Sequence, residues 1–180
     1  LGRDDDASDS YIIDEMDMVA EEPTSSHASS SISQNSGISS ADTMKVAYHL
    51  PAMGGLTTGI SFADSGAAGG TDKTTYGLNY NLEAGGATVT LGFASNSTEA
   101  ASVDTDETNL GLKVVSGDIS MVLSTGKYEG DDEDRDNTGV GVSFAMPNGM
   151  TLGAYTFKST DDLDIGCLLY TSDAADEGSS

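Results

Sequence analysis

Residues 76–93 read Tyr76-Gly77-Leu78-Asn79-Tyr80-Asn81-Leu82-Glu83-Ala84-Gly85-Gly86-Ala87-Thr88-Val89-Thr90-Leu91-Gly92-Phe93. Tyr76, Leu78, Tyr80 and Leu82 alternate with Gly77, Asn79 and Asn81. Beyond Gly85-Gly86, Ala87, Val89, Leu91 and Phe93 alternate with Thr88, Thr90 and Gly92. A period of two residues places one apolar and one polar face on an extended chain. A Gly-Gly pair between two such runs supplies the positive φ angles of a tight hairpin. The stretch is therefore expected to be two antiparallel strands joined by a short turn.

The same pattern repeats outward. Met44, Val46, Tyr48 and Leu50 form one run, and Leu56, Thr58, Ile60 and Phe62 the next. After residue 93 come Leu110, Leu112 and Val114, then Ile119, Met121 and Leu123, then Val140, Val142 and Phe144. Met150, Leu152 and Ala154 begin an eighth run, where Tyr155 and Phe157 break the phase and a bulge is expected. Short connections at 51–55, 83–86, 116–117 and 147–149 alternate with long ones at 63–73, 95–107, 127–137 and from 159 onward. That rhythm fits an up-and-down meander whose tight turns share one end. The fold class is all-β, an antiparallel meander forming part of a transmembrane β-barrel.

Charge supports the barrel. The 180 residues carry 7 basic and 30 acidic side chains, a net charge of −23. No basic face exists for nucleic acid, and no nucleic-acid partner is expected. Ten of the acids fall in residues 1–42 and fifteen in the long connections, so the strand bodies read as free of acids. Lys45 and Lys113 fall on the small polar phase, opposite the Leu/Val/Tyr phase. A lysine facing lipid at mid-membrane costs roughly 2–4 kcal/mol, whereas an aqueous lumen tolerates it. A soluble sandwich usually carries many charges on its outer face. Here the second face is mostly Gly, Ser, Thr, Asn and Ala, which fits a wet lumen.

Residues 1–42 differ from the rest. They are rich in Ser and acids, with one apolar patch at Tyr11-Ile12-Ile13. They read as a long loop. Asp4, Asp5, Asp6, Asp14, Glu15 and Asp17 are constriction candidates, since carboxylates lining a pore favour cations. Lys45, His49 and Lys113 are pore-lining candidates that would face those acids across the lumen. At the other end, Cys167-Leu168-Leu169-Tyr170-Thr171-Ser172-Asp173-Ala174-Ala175-Asp176-Glu177 reads as the translation of a sequencing adapter. Residues 167–180 are accordingly set apart from the native chain, leaving residues 43–166 with about eight strands.

Catalytic and metal chemistry find little support. His27 and His49 are the only imidazoles, and the single Cys has no partner. The acidic run at 131–136 lacks the Gly and terminal Glu of an EF-hand and reads as a solvated loop tip. No nucleophile sits beside a base. Neither an enzyme nor a cofactor or metal is expected.

Met44-Lys45-Val46-Ala47-Tyr48, Tyr76-Gly77-Leu78-Asn79-Tyr80 and Asn137-Thr138-Gly139-Val140-Gly141-Val142-Ser143-Phe144 resemble strands of the Gram-negative general porins. The resemblance covers about residues 43–166. It implies residence in the outer membrane among lipid, a barrel of about sixteen strands, and homotrimeric assembly. It also implies passive diffusion of small hydrophilic solutes and ions. One long loop folds inward in that family, and residues 1–42 resemble it in position and length. On this resemblance the chain is an internal fragment. Two alternatives remain open: a small closed eight-strand barrel acting as anchor or adhesin, and a secreted acidic β-sandwich that binds a partner through its loops.

Overall fold

The computed structural model describes residues 11, 13, 44–64, 70–100, 104–130, 134–159 and 162–171, with Met44, Lys45 and 162–171 described in backbone only. Among the described residues nine strands follow one another: β1 Met44–Met53, β2 Leu56–Asp64, β3 Asp72–Ala84, β4 Ala87–Glu99, β5 Asp104–Ser116, β6 Ile119–Gly130, β7 Asp134–Ala145, β8 Met150–Ser159 and β9 Asp162–Thr171. They form one antiparallel sheet in sequence order. This is the expected meander, with one strand more than the eight read from the sequence. The extra strand, β9, includes residues 167–171, which the sequence reading set apart. Its backbone pairs with β8 from Ser159↔Asp162 to Met150↔Thr171. An edge offers N–H and C=O groups that almost any sequence can meet, so this pairing is independent of where those residues come from.

The tight turns lie together at one end. Gly54 and Gly55 have φ of 57° and 87°, and Gly85 and Gly86 have φ of 62° and 83°. Both residues of each pair are left-handed, the primed geometry that matches strand twist. The β7–β8 turn closes differently, with Met146 N donating to Met150 O at 2.7 Å and Gly149 N donating to Met146 O at 3.0 Å. At the opposite end the connections are shorter than expected. Residues 100–103 join β4 to β5 and residues 131–133 join β6 to β7, in place of the long loops at 95–107 and 127–137.

The strands therefore contain acids, contrary to the sequence reading. Glu99 lies in β4, Asp104, Asp106 and Glu107 in β5, Glu129 in β6, and Asp134 and Asp136 in β7. Length accounts for this. β4 and β5 have 13 residues each, about 43 Å of extended chain. Tilted by about 40°, that length exceeds an apolar band about 25 Å tall. The strand ends that carry acids project past the band.

Two local expectations also change. β1 continues through Pro51, and its register with β2 shifts between Leu50 and Met53. Proline lacks a ladder donor and is accommodated where pairing is irregular. The expected bulge in β8 is absent, for β7 and β8 pair without a shift from Asn137↔Ser159 to Ala145↔Thr151. Tyr155 and Phe157 instead share the small-residue face, each opposite a glycine, Gly141 and Gly139.

Burial is inverted relative to a soluble sheet. Ala94 is 0% exposed and Leu110 is 55% exposed. The exposed face carries Tyr48, Phe62, Tyr76, Leu78, Met121 and Val140, among others. Tyr76 and Phe93 pack there with ring centroids 5.7 Å apart. The buried face carries Ser61, Thr75, Asn96, Asn109, Ser124 and Asn137. Large apolar side chains outside and small polar ones inside is the arrangement of a membrane barrel wall.

Candidate functional site: the inner wall

The inner wall has a glycine floor. Gly59 pairs with Gly77 across β2–β3, and Gly92 pairs with Gly111 across β4–β5. Tyr11 lies on the first pair and Ile13 on the second. A Cβ at Gly77 would come within 2.6 Å of Tyr11 Cδ2, and one at Gly92 within 2.7 Å of Ile13 Cδ1. Only hydrogen at these positions lets the two side chains approach the sheet backbone. Tyr11 is 5% exposed and Ile13 is 3% exposed. Ile13 also packs with Val122 of β6.

Polar contacts fix the same segment. The Tyr11 hydroxyl and His49 Nδ1 are hydrogen-bonded at 2.9 Å, with ring centroids 5.9 Å apart. With its amide oriented to donate, Asn79 Nδ2 hydrogen-bonds to the Tyr11 carbonyl at 3.0 Å. Burial holds the Tyr11 phenol above its ordinary pKa.

Of the expected pore-lining residues, His49 lies on the inner face opposite Gly59 and holds Tyr11. Lys113 lies on the same face, between Thr90 and Val122. The two are on β1 and β5, about 19 Å apart across the strands and about 13 Å apart along them, because the register row of His49 meets β5 at Asn109, and they do not form one cluster. Lys45 pairs through its backbone with Ala63, and its side chain lies outside the described residues. Asp4, Asp5, Asp6, Asp14, Glu15 and Asp17 also lie outside the described residues.

A polar belt that the sequence reading missed crosses the wall toward the end opposite the tight turns. Ser61, Thr75, Asn96, Glu107, Tyr128 and Arg135 are successive register partners from β2 to β7. Ser61 and Thr75 share a hydroxyl–hydroxyl bond of 2.6 Å. Asn96 Nδ2 donates to Glu107 Oε2 at 3.2 Å. The Arg135 guanidinium carbon stands 4.7 Å from the centre of the Tyr128 ring, a cation–π distance. Lys73 lies one inner-face step beyond Thr75 and is buried. The belt thus mixes Lys73 and Arg135 with Glu107. The signal that locates these residues is parity: Lys73 shares the phase of Gly77, Glu107 that of Gly111, and Arg135 that of Gly139.

The arrangement is a polar surface held in register across the sheet. Among the described residues no group of three or more His, Cys, Asp or Glu could hold a metal. Among the described residues no helix is long and apolar enough to cross a membrane, which says nothing of crossing by strands.

Comparison with known proteins agrees with this architecture. No curated protein sequence matches the chain. Among solved structures, Pseudomonas aeruginosa OccD3 (OpdP) superposes with a TM-score of 0.58 at 9% identity, covering 66% of this chain and 37% of that one. The structure of a porin superposes with a TM-score of 0.51 at 17% identity, covering 71% of this chain and 51% of that one. At such identities the likeness concerns the fold alone, and the chain spans only part of the length of either relative. The sequence profile described as Gram-negative porin matches residues 1–178. With nearly its whole length matched, the chain belongs to the Gram-negative porin family, proteins of the outer membrane.

Proposed function

We propose that this chain forms part of the wall of a passive diffusion channel for small hydrophilic solutes and ions. The observation that carries the reading is the inverted burial, with Leu110 and its neighbours exposed and Asn96 and Asn109 buried. Such a sheet gains by meeting lipid on one face and enclosing a polar lumen on the other. Residues 1–42 enter that lumen and narrow it, a reading supported by Tyr11 and Ile13 seated on the inner wall. Their acids, among them Asp4, Asp5, Asp6, Asp14, Glu15 and Asp17, favour cations, while Lys45, His49 and Lys113 line the wall. The full-length assembly is a homotrimer. A secreted sandwich is disfavoured by the exposed apolar face. A closed eight-strand barrel is disfavoured by nine strands in linear order.

The test is a planar-bilayer recording under a salt gradient. Large conductance steps with a cation-selective reversal potential are expected. Replacing the six acids by Asn or Gln should move the reversal potential toward zero. An unchanged reversal potential would remove the acids from selectivity, and a protein that never inserts would overturn the channel.

A further inference from the structure

We propose that the inner face around Asn96, Asn109 and Asn137 is a subsite for neutral polyhydroxylated solutes of about disaccharide size. The proposal rests on reading this face as a channel wall and names the chemistry that the wall prefers. Among the described residues, the Oδ1 atoms of Asn96, Asn109 and Asn137 are buried without a hydrogen-bond donor. The three side chains are only 1%, 2% and 7% exposed. Buried carbonyl oxygens nearly always have a donor, so three without one on a single face call for a ligand that brings donors. Asn96 already spends its amide hydrogen on Glu107, which leaves its carbonyl as the acceptor end.

Spacing selects the ligand. Asn109 pairs with Gly126 and Gly126 with Asn137, so the two asparagines stand about 10 Å apart across two strand spacings. The residue between them has no side chain. One metal ion needs all its oxygens within about 2.6 Å, a spacing that asparagines two strands apart do not offer. Hydroxyl groups distributed over two linked rings match such separated neutral acceptors. Ile13 sits on Gly92 and Gly111, and Gly111 is one inner-face step from Asn109. Ile13 therefore stands beside Asn109, and a solute that reaches these acceptors competes with it.

The experiment is isothermal titration of maltose into the full chain in detergent micelles. Asn109→Leu and Asn137→Leu should each weaken binding about tenfold, the loss of one hydrogen bond. Ile13→Ala should tighten it several-fold by loosening the competitor, a gain that misfolding does not produce. Maltose affinity unchanged in both leucine variants overturns the proposal. So does calcium binding that is lost in Asn109→Leu while maltose does not bind. Conductance of the same preparations is read separately: channels that open but show no maltose binding overturn the subsite and leave the channel intact.

Discussion

Gly77→Ala should release Tyr11 from the wall. The new methyl would lie 2.6, 2.8 and 2.9 Å from the Tyr11 Cδ2, Cβ and Cγ atoms. The Cβ contact is at the base of the side chain, so a rotation of the ring does not relieve it and the segment itself must move. Burial of Tyr11 contributes about 2 kcal/mol, and its hydrogen bond to His49 about 1 kcal/mol. Losing about 3 kcal/mol raises the undocked population about a hundredfold. Chymotrypsin cleaves after tyrosine and reads that population when reclosing is faster than cleavage. The fragment beginning at Ile12, followed by mass spectrometry, should appear about a hundred times faster in Gly77→Ala. Cleavage after Tyr80, within β3, should be unchanged, which separates local release from general unfolding. Equal rates at Tyr11 in the two proteins would refute the glycine-floor argument.

Three other outcomes follow from the same geometry. Leu123→Lys, on the exposed apolar face, should destabilise the membrane-inserted protein by about 2–4 kcal/mol, whereas Thr90→Lys on the inner face should cost less than about 1 kcal/mol, as read from urea unfolding in lipid vesicles. Docking of Tyr11 should weaken at alkaline pH. Its phenol is raised above the ordinary value of 10.0, so the stabilisation is complete below pH 10 and declines as pH rises through the folded-state pKa. The difference between wild-type and Tyr11→Phe tyrosinate absorbance checks this, and a Tyr11 titrating below 10 would sink it. Gly55→Ala should cost about 1 kcal/mol through its positive φ, with a further loss because the added Cβ meets the Asn81 carbonyl. A melting temperature unchanged from wild type would contradict that assignment.

Period-two alternation made the strands and their faces legible. From Met44 to Phe144 most large apolar residues occupy one parity, with Val115 and Val122 on the other, and tertiary structure kept it. Strand ends were less legible. Charge and Gly/Ser content at 95–107 and 127–137 resemble loop chemistry, yet residues 95–99 pair with 104–108 and residues 127–129 with 134–136. Once strands outrun the apolar band, water rather than lipid meets their side chains, and hydropathy no longer marks the strand. Glu107 and Arg135 were missed for that reason. Tyr155 and Phe157 were misread because their tolerance on the small face depends on Gly141 and Gly139 of the neighbouring strand. Such cross-strand vacancies emerge only with the register. The role of Tyr11 was hidden similarly, since its seat consists of glycines 48 and more residues away.

Each strand of this sheet pairs only with its neighbours in sequence, which gives the fold the mechanics of a zipper. Force applied to one terminus loads one ladder at a time, and no distant strand shares the load. Extraction from a bilayer by an atomic-force tip should then proceed hairpin by hairpin. The β3–β4 hairpin, with 13 residues in each strand, would release roughly 100 Å of chain at about 3.6 Å per residue. Peaks of that spacing would report the order in which hairpins leave the membrane. The segment seated on the glycine floor, whose contacts extend from β1 to β6, is the one described element that ties several hairpins together, and its release should register as a separate early event.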